Sequence, residues 1–382
     1  MAAATSGRTT AILLSLVVWS SSCSTPSPDQ GPERLPNGSF PEVASRLVCL
    51  GDIPPQWAST LHDGGSISLP DTMLGLGTVA GTKAFGQHRT SVDSGIGALD
   101  LTNGRFQKIS TFDADVGGMG AIAVEQPWVV WEQLDSRRDL TDWSMKAFNL
   151  ETGAEHVLAN SHDSEGSKVV GQQPIPVLAG SLVAWSQPVS TANEALEAEV
   201  RILDLRTFRH VTVDSGLVSS PVFAGPYLIW AKRDQSNAFT LKAIDALTHE
   251  PVRLPSPLQR PGTVGYLGGS PDFLVWSDQT TTRLSVWHLT TDTFTYFKVD
   301  DHSHYFQFLS LAGHFLLWFT GSSSAVLDLT TGNGFDFDGT VAGSQERIAL
   351  VKASATVKGT IGSSEVASLL LTEAPELATC SR

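Results

Sequence analysis

The phrase EVRILDLRTFRHVTV, residues 199–213, reads as two short strands joined by a tight turn, and the chain repeats it. The same shape returns at 95–109 (GIGALDLTNGRFQKI), 145–158 (MKAFNLETGAEHVL), 241–254 (LKAIDALTHEPVRL), 284–297 (LSVWHLTTDTFTYF), 324–337 (SAVLDLTTGNGFDF) and 366–377 (VASLLLTEAPEL). Five of these hairpins follow an apolar run built on a tryptophan: Trp131, Trp185, Trp230, Trp276 and Trp318, spaced by 54, 45, 46 and 42 residues. GTVAGTKAFGQ (77–87) and GTVAGSQERIALVKA (339–353) keep the frame of that run without the ring. Short runs ending in small residues come just before, as PVLAG (176–180), PVFAG (221–225), GYLGG (265–269) and LSLAG (309–313).

Each unit is therefore four strands: a small-residue strand, a tryptophan strand and the two arms of the hairpin. Residues 69–377 hold seven such units of roughly 45 residues. That period predicts an all-β fold, a seven-bladed β-propeller with four antiparallel strands per blade. The chemistry of the strands agrees. SLVAW, PYLIW and DFLVW are apolar at successive positions, so both faces of the strand need cover. A blade held between two neighbours supplies that cover, whereas a sandwich strand would alternate apolar and polar residues. Asn-Gly and Thr-Gly turn the hairpins, glycine taking a positive φ at little cost; Phe208 and Asp292 stand where glycine is expected. A closed ring has a seam, and SRLVCL (45–50) with ELATC (376–380) are expected to close it by completing a blade from both chain ends.

The 382 residues are 41% apolar and 17% charged, enough to bury a large core. Acidic residues outnumber basic ones by 39 to 25, which argues against nucleic acid as a partner, because phosphate binding needs clustered Lys and Arg.

The start of the chain reads as an address. Arg8 precedes the apolar run AILLSLVVW (11–19), and SSSC brings small residues up to Cys23. A nine-residue apolar run is too short for a permanent membrane span, so residues 1–23 read as an export signal. The segment resembles a bacterial lipoprotein signal, which implies Cys23 as the lipidation site; ordinary cleavage near Ser22 is the alternative. Residues 24–42 are rich in Ser, Pro and Gly and read as a flexible tether, leaving 43–382 as the propeller. The expected location is the outer face of the cytoplasmic membrane as a lipoprotein, or secretion. Cys49 and Cys380 lie at opposite ends of the folded part, where export favours a disulfide that staples the seam; two unrelated buried thiols are the other reading.

SPDFLVW (270–276) is similar to the SPDG-x-x-I-A-F blade signature, and with the seven units the chain resembles exported bacterial propellers of the TolB-like and YVTN kinds. The resemblance implies a cell-envelope lipoprotein and carries no functional motif.

Chemistry is expected on the loops. DDHSHYF brings Asp301, His302 and His304 together, the two imidazoles on one side of an extended chain, and SHDSEG adds His162. Imidazoles beside carboxylates suit metal binding or acid–base work, against the plainer reading of a solvated loop. Asp113, Asp115, Asp163, Asp214, Asp301 and Asp338 fall on linking loops and would offer Ca²⁺ an acidic channel mouth, against ordinary solubility. DSRRDLTDW sets Asp135, Arg137, Arg138 and Trp143 as a partner or glycan contact, against a self-paired surface loop. Neither a nucleophile elbow nor a phosphate-binding glycine loop occurs. The sequence therefore predicts a monomeric, cofactor-free, non-catalytic propeller that binds an envelope protein or glycan through its loop face. The alternative is a lyase or hydrolase working through His302, His304 or His162.

Overall fold

The computed structural model describes residues 45–63, 66–113, 116–163, 165–189, 197–280, 282–299, 306–319, 323–353 and 362–377. Seven separate sheets follow one another along the chain. Their innermost strands are Met73–Ala80, Gly118–Glu125, Val177–Ala179, Val222–Ala224, Leu267–Gly269, Gln307–Ala312 and Thr340–Gly343. Each touches the next in that order, and Thr340–Gly343 returns to Met73–Ala80. The ring is closed, with seven blades numbered here in that order.

Blade 2 shows the plan. Gly118–Glu125, Trp128–Leu134, Trp143–Asn149 and Glu155–Asn160 pair in sequence, each antiparallel to the last. The tryptophan strand is buried along its whole length, because its two faces meet different blades. Trp128, Val130 and Leu134 pack with Val183, Trp185 and Leu203 of blade 3. Val129 and Trp131 pack with Phe85 and Ile96 of blade 1. Burying each such side chain contributes about 1.5–3 kcal/mol, so the inter-blade seams carry much of the stability.

The recurring hairpin has a local cause. Its third strand ends in Asp or Asn, whose side chain accepts the backbone N–H two residues on: Asp100 from Thr102 (2.8 Å), Asn149 from Glu151 (2.9 Å), Asp204 from Arg206 (3.0 Å), Asp245 from Leu247 (3.0 Å) and Asp328 from Thr330 (2.7 Å). The turn then needs a left-handed residue, which is Gly104, Gly153 or Gly332 in three blades. Phe208, His249 and Asp292 hold that conformation in blades 3, 4 and 5. Asp292 is compensated by accepting the Trp287 indole N–H at 2.9 Å.

Blade 4 departs from the plan. Val222–Ala224, Tyr227–Arg233 and Phe239–Asp245 form three regular strands, and the fourth place is held by a bridge from Ile244 to Pro251 and one bond from Val252 N–H to the Ala243 carbonyl (2.9 Å). Pro251 and Pro255 lack the N–H a ladder needs.

The seam is also built otherwise than expected. The fourth strand of blade 7 is Ile67–Leu69, antiparallel to Ser364–Leu370. The SRLVCL run instead lies outside the ring. Ser45–Leu47 runs parallel to the outer strand of blade 5, Thr293–Lys298, and Cys49–Gly51 runs parallel to that of blade 6, Asn333–Phe337. It joins two outer edges instead of finishing a blade. A short helix, Pro55–Asp63, follows and buries Trp57 against Phe315 and Phe335.

Candidate functional site

Because strands alternate in direction, all connections between second and third strands, and all links between blades, emerge on one face of the ring. The 3–4 hairpin turns emerge on the other. Of the loop-face residues singled out in the sequence, Asp115, Asp301, His302 and His304 lie outside the described residues, as do Cys23 and Cys380.

The remaining candidates are mostly engaged with their own loops. His162 is exposed; its N–H bonds Asn160 Oδ1 (2.9 Å) and its Nδ1 lies 3.5 Å from Ser161 Oγ. Asp163 accepts the N–H groups of Glu165 (2.9 Å) and Ser167 (2.8 Å), shaping its own turn. Asp214 accepts from Lys232 Nζ (2.6 Å) and the Trp230 indole (2.8 Å). Burial pushes the Asp214 carboxyl up, but these donors overcome it and leave it below the ordinary range. Asp113 and Asp338 are exposed, and the acidic residues of the linking loops do not gather: among the described residues, no three His, Cys, Asp or Glu side chains form a metal-sized group.

The 135–142 loop of blade 2 is a fixed object. Asp135 Oδ1 accepts Gln133 Nε2 (2.7 Å) and Ser144 Oγ (3.1 Å). Arg137 Nε reaches the Val116 carbonyl (3.0 Å), and Gln173 Nε2 reaches that of Leu140 (2.7 Å). Asp139 pairs with Lys168, and that ammonium, with Thr141, holds its carboxyl at about 2. Arg138 stays exposed. Trp143 is a correction: it is 1% exposed and packed with Trp128 and Met145 in the blade 2–3 core, where it reaches no partner. It opens the third strand, so its alternation, not the charged residues before it, sets its direction.

Beneath this loop lies a group that the sequence reading passed over. Glu132 is 1% exposed on the second strand of blade 2, on the face turned to blade 3. Its Oε1 has neither solvent nor a hydrogen-bond partner. Burial, with Asp135 adding to it, pushes the carboxyl up to about 8. Opposite it on the innermost strand is Gly120, exposed, where an added Cβ would lie 1.7 Å from Glu132 Oε2. The carboxyl thus fills the space a side chain would take at position 120. One signal was available: WVVWEQ places a Glu inside a run that is otherwise covered on both faces. In blade 1, His88 is also fully buried, its ring edge-on to Phe106 and 3.6 Å from Asp93 Oδ1. Burial lowers its pKa in spite of Asp93, so it stays neutral at pH 7.

No protein-family model matches the sequence, and no curated protein does. Solved structures share the fold. A prolyl endopeptidase matches with a TM-score of 0.51 and 12% identity over 78% of this chain; the match spans 48% of that one. An oligogalacturonate lyase from Vibrio parahaemolyticus matches at a TM-score of 0.49 with 10% identity, over 82% of this chain and 94% of that one. TolB from Acinetobacter baumannii matches at 0.40 with 12% identity, over 72% and 60%. At these identities the likeness is one of fold: a seven-bladed β-propeller.

Proposed function

We propose that this chain is an exported, non-catalytic propeller of the cell envelope that holds a protein or glycan partner on its loop face, over blades 1 to 3. One observation carries this reading. The loops there are pinned, the Val92 turn by bonds between Thr90 and Asp93 and the others by the bonds of Arg137, Asp139, Lys168 and Gln173, yet they hold aliphatic side chains outward: Val92 is 86% exposed, Leu140 38% and Val170 64%. Apolar tips on fixed loops suit recognition, because little freedom is lost when they are covered.

The test compares three immobilised proteins exposed to envelope extract: the wild type, Val92→Asp/Leu140→Asp/Val170→Asp, and Leu247→Asp, whose site is on the opposite face. Capture of the same partner by the first and third, and not by the second, supports the reading. Equal capture by all three sinks it.

Export through residues 1–23, anchoring through Cys23, a Cys49–Cys380 bridge and a monomeric state belong to the same proposal. Cys23→Ala should move the protein from the membrane to the soluble fraction. The bridge would close a loop of about 330 residues, for which chain entropy predicts more than ~4 kcal/mol, so Cys380→Ser should lower the melting temperature. A second reading, a propeller lyase or hydrolase, draws on Glu132: a buried carboxyl titrating at about 8 suits acid–base work at neutral pH. Turnover of polysaccharides, lactones or peptides that disappears in Glu132→Gln would favour it.

A further inference from the structure

We propose that Glu132 anchors a site for a primary ammonium group, entered from the central axis at Gly120, at the loop-face end of the ring. The idea rests on the loop-face reading for one source of that group, a lysine side chain of the partner. A small diamine is the other source.

The geometry is that of a buried carboxyl without a counter-charge. Glu132 is buried, its Oε1 bonds to nothing, and its Oε2 lies where a Cβ at the exposed Gly120 of the innermost strand would stand. The register of that strand slips between Met119 and Ile122, so Gly120 and Ala121 lie together opposite Glu132 with no ladder partner of their own. No cation of the described residues reaches the group. Met145 is the residue opposite it on the third strand. Lys146 is opposite Trp131, on the other face, and pairs with Glu155 at 3.3 Å. The facing strands of blade 3, LVAWSQP and VLA, have no ionisable side chain, and Glu125 lies at the far end of the innermost strand. Asp135 is the one charged group that acts on Glu132, and it is negative.

The donor set selects the ligand. Gln133 and Ser144 already hold Asp135 Oδ1, and Glu132 is the carboxyl with a buried oxygen that bonds to nothing. An ammonium carries a single charge, which one carboxylate matches. A calcium ion takes six to eight oxygens, usually with several carboxylates. Glu132 holds its proton at neutral pH, so the ammonium must displace it, and affinity should rise with pH up to about 8.

The experiment is calorimetric titration of the whole folded chain with Nα-acetyl-lysine methylamide, with 1,4-diaminobutane and with CaCl₂, at pH 6.5 and 8.5. Amine binding that tightens at least tenfold between the two pH values, releases a proton at pH 6.5 and vanishes in Glu132→Gln is the expected result. Binding of the lysine analogue alone assigns a protein partner; binding of the diamine alone assigns a small ligand. Absence of amine binding at pH 8.5, unchanged binding in Glu132→Gln, or Glu132-dependent binding of calcium without amines overturns the proposal. Should Glu132→Gln fail to fold, the wild-type proton release decides, measured in buffers of different ionisation enthalpy. A chain that captures its loop-face partner but ignores both amines keeps the loop-face reading and loses this one.

Discussion

Gln87 in blade 1 and Glu132 in blade 2 occupy the same place, the fifth residue of the second strand, and differ by one group. Gln87 Oε1 accepts the N–H of Met119 at 3.1 Å, tying blade 1 to the innermost strand of blade 2. Glu132 faces blade 3 in the same way but finds no partner. The approach to the innermost strand of blade 3 contains Pro174 and Pro176, both buried, and proline has no N–H to give. Elsewhere the position is satisfied or apolar: Ser186 Oγ meets Ser220 Oγ at 3.4 Å, Ser277 Oγ accepts the Tyr266 N–H at 2.9 Å, and Ala231, Phe319 and Val351 fill the rest. The comparison separates a polar residue that joins blades from one that does not. Glu132 adds nothing to the joint, so its presence asks for another reason.

The largest expected effect comes from removing the ionisation. The folded-state value of about 8 lies above the ordinary Glu value of 4.5, so the folded protein binds the extra proton between those limits. Stability should therefore fall as pH rises from about 4.5 to 8 and level off above, by up to ~5 kcal/mol at about 1.4 kcal/mol per unit. Glu132→Gln should abolish that slope and raise the unfolding free energy most at pH 8.5 and above. Urea melts of both proteins from pH 4 to 9 would show it. Parallel pH profiles would mean that the carboxyl is solvated in the native state, and the contrast with Gln87 would dissolve.

Next is the space itself. Gly120→Ala drives a methyl into Glu132 Oε2 and should cost ~1–3 kcal/mol through overpacking. Combined with Glu132→Ala, which vacates the space, the cost should largely disappear. A double-mutant cycle measures this coupling, and additive losses would separate the glycine from the carboxyl.

Much of the fold was readable because its cues are local. A tryptophan strand apolar at every position, followed by a hairpin with Asp or Asn at its turn, specifies a blade within roughly 45 residues. Ile67–Leu69 had no such cue: three residues, ISL, whose partner strand lies almost the whole ring away. SRLVCL looked strand-like and is, but its pairing with two outer edges is set by tertiary position. Trp143 misled because charged neighbours suggest a surface loop, while strand alternation decides which way the ring points. Glu132 was visible as a carboxyl in an apolar run. Its missing partner was not, because that depends on which blade faces it.

The smallest effect gives the sharpest version of the comparison. Gln87→Glu places a second carboxylate at the equivalent position, half-buried and still within reach of the Met119 N–H. A hydrogen bond to a charged acceptor contributes about 1.5–3 kcal/mol, enough to offset most of the burial penalty, so the net loss at pH 7 should stay within ~1 kcal/mol. The introduced group should also titrate well below Glu132, which ¹³C-detected NMR of the two carboxyls can follow. If Gln87→Glu instead destabilises as much as ionised Glu132 does, depth of burial rather than the lost N–H sets the cost. The two buried prolines of blade 3 would then have no part in keeping Glu132 free.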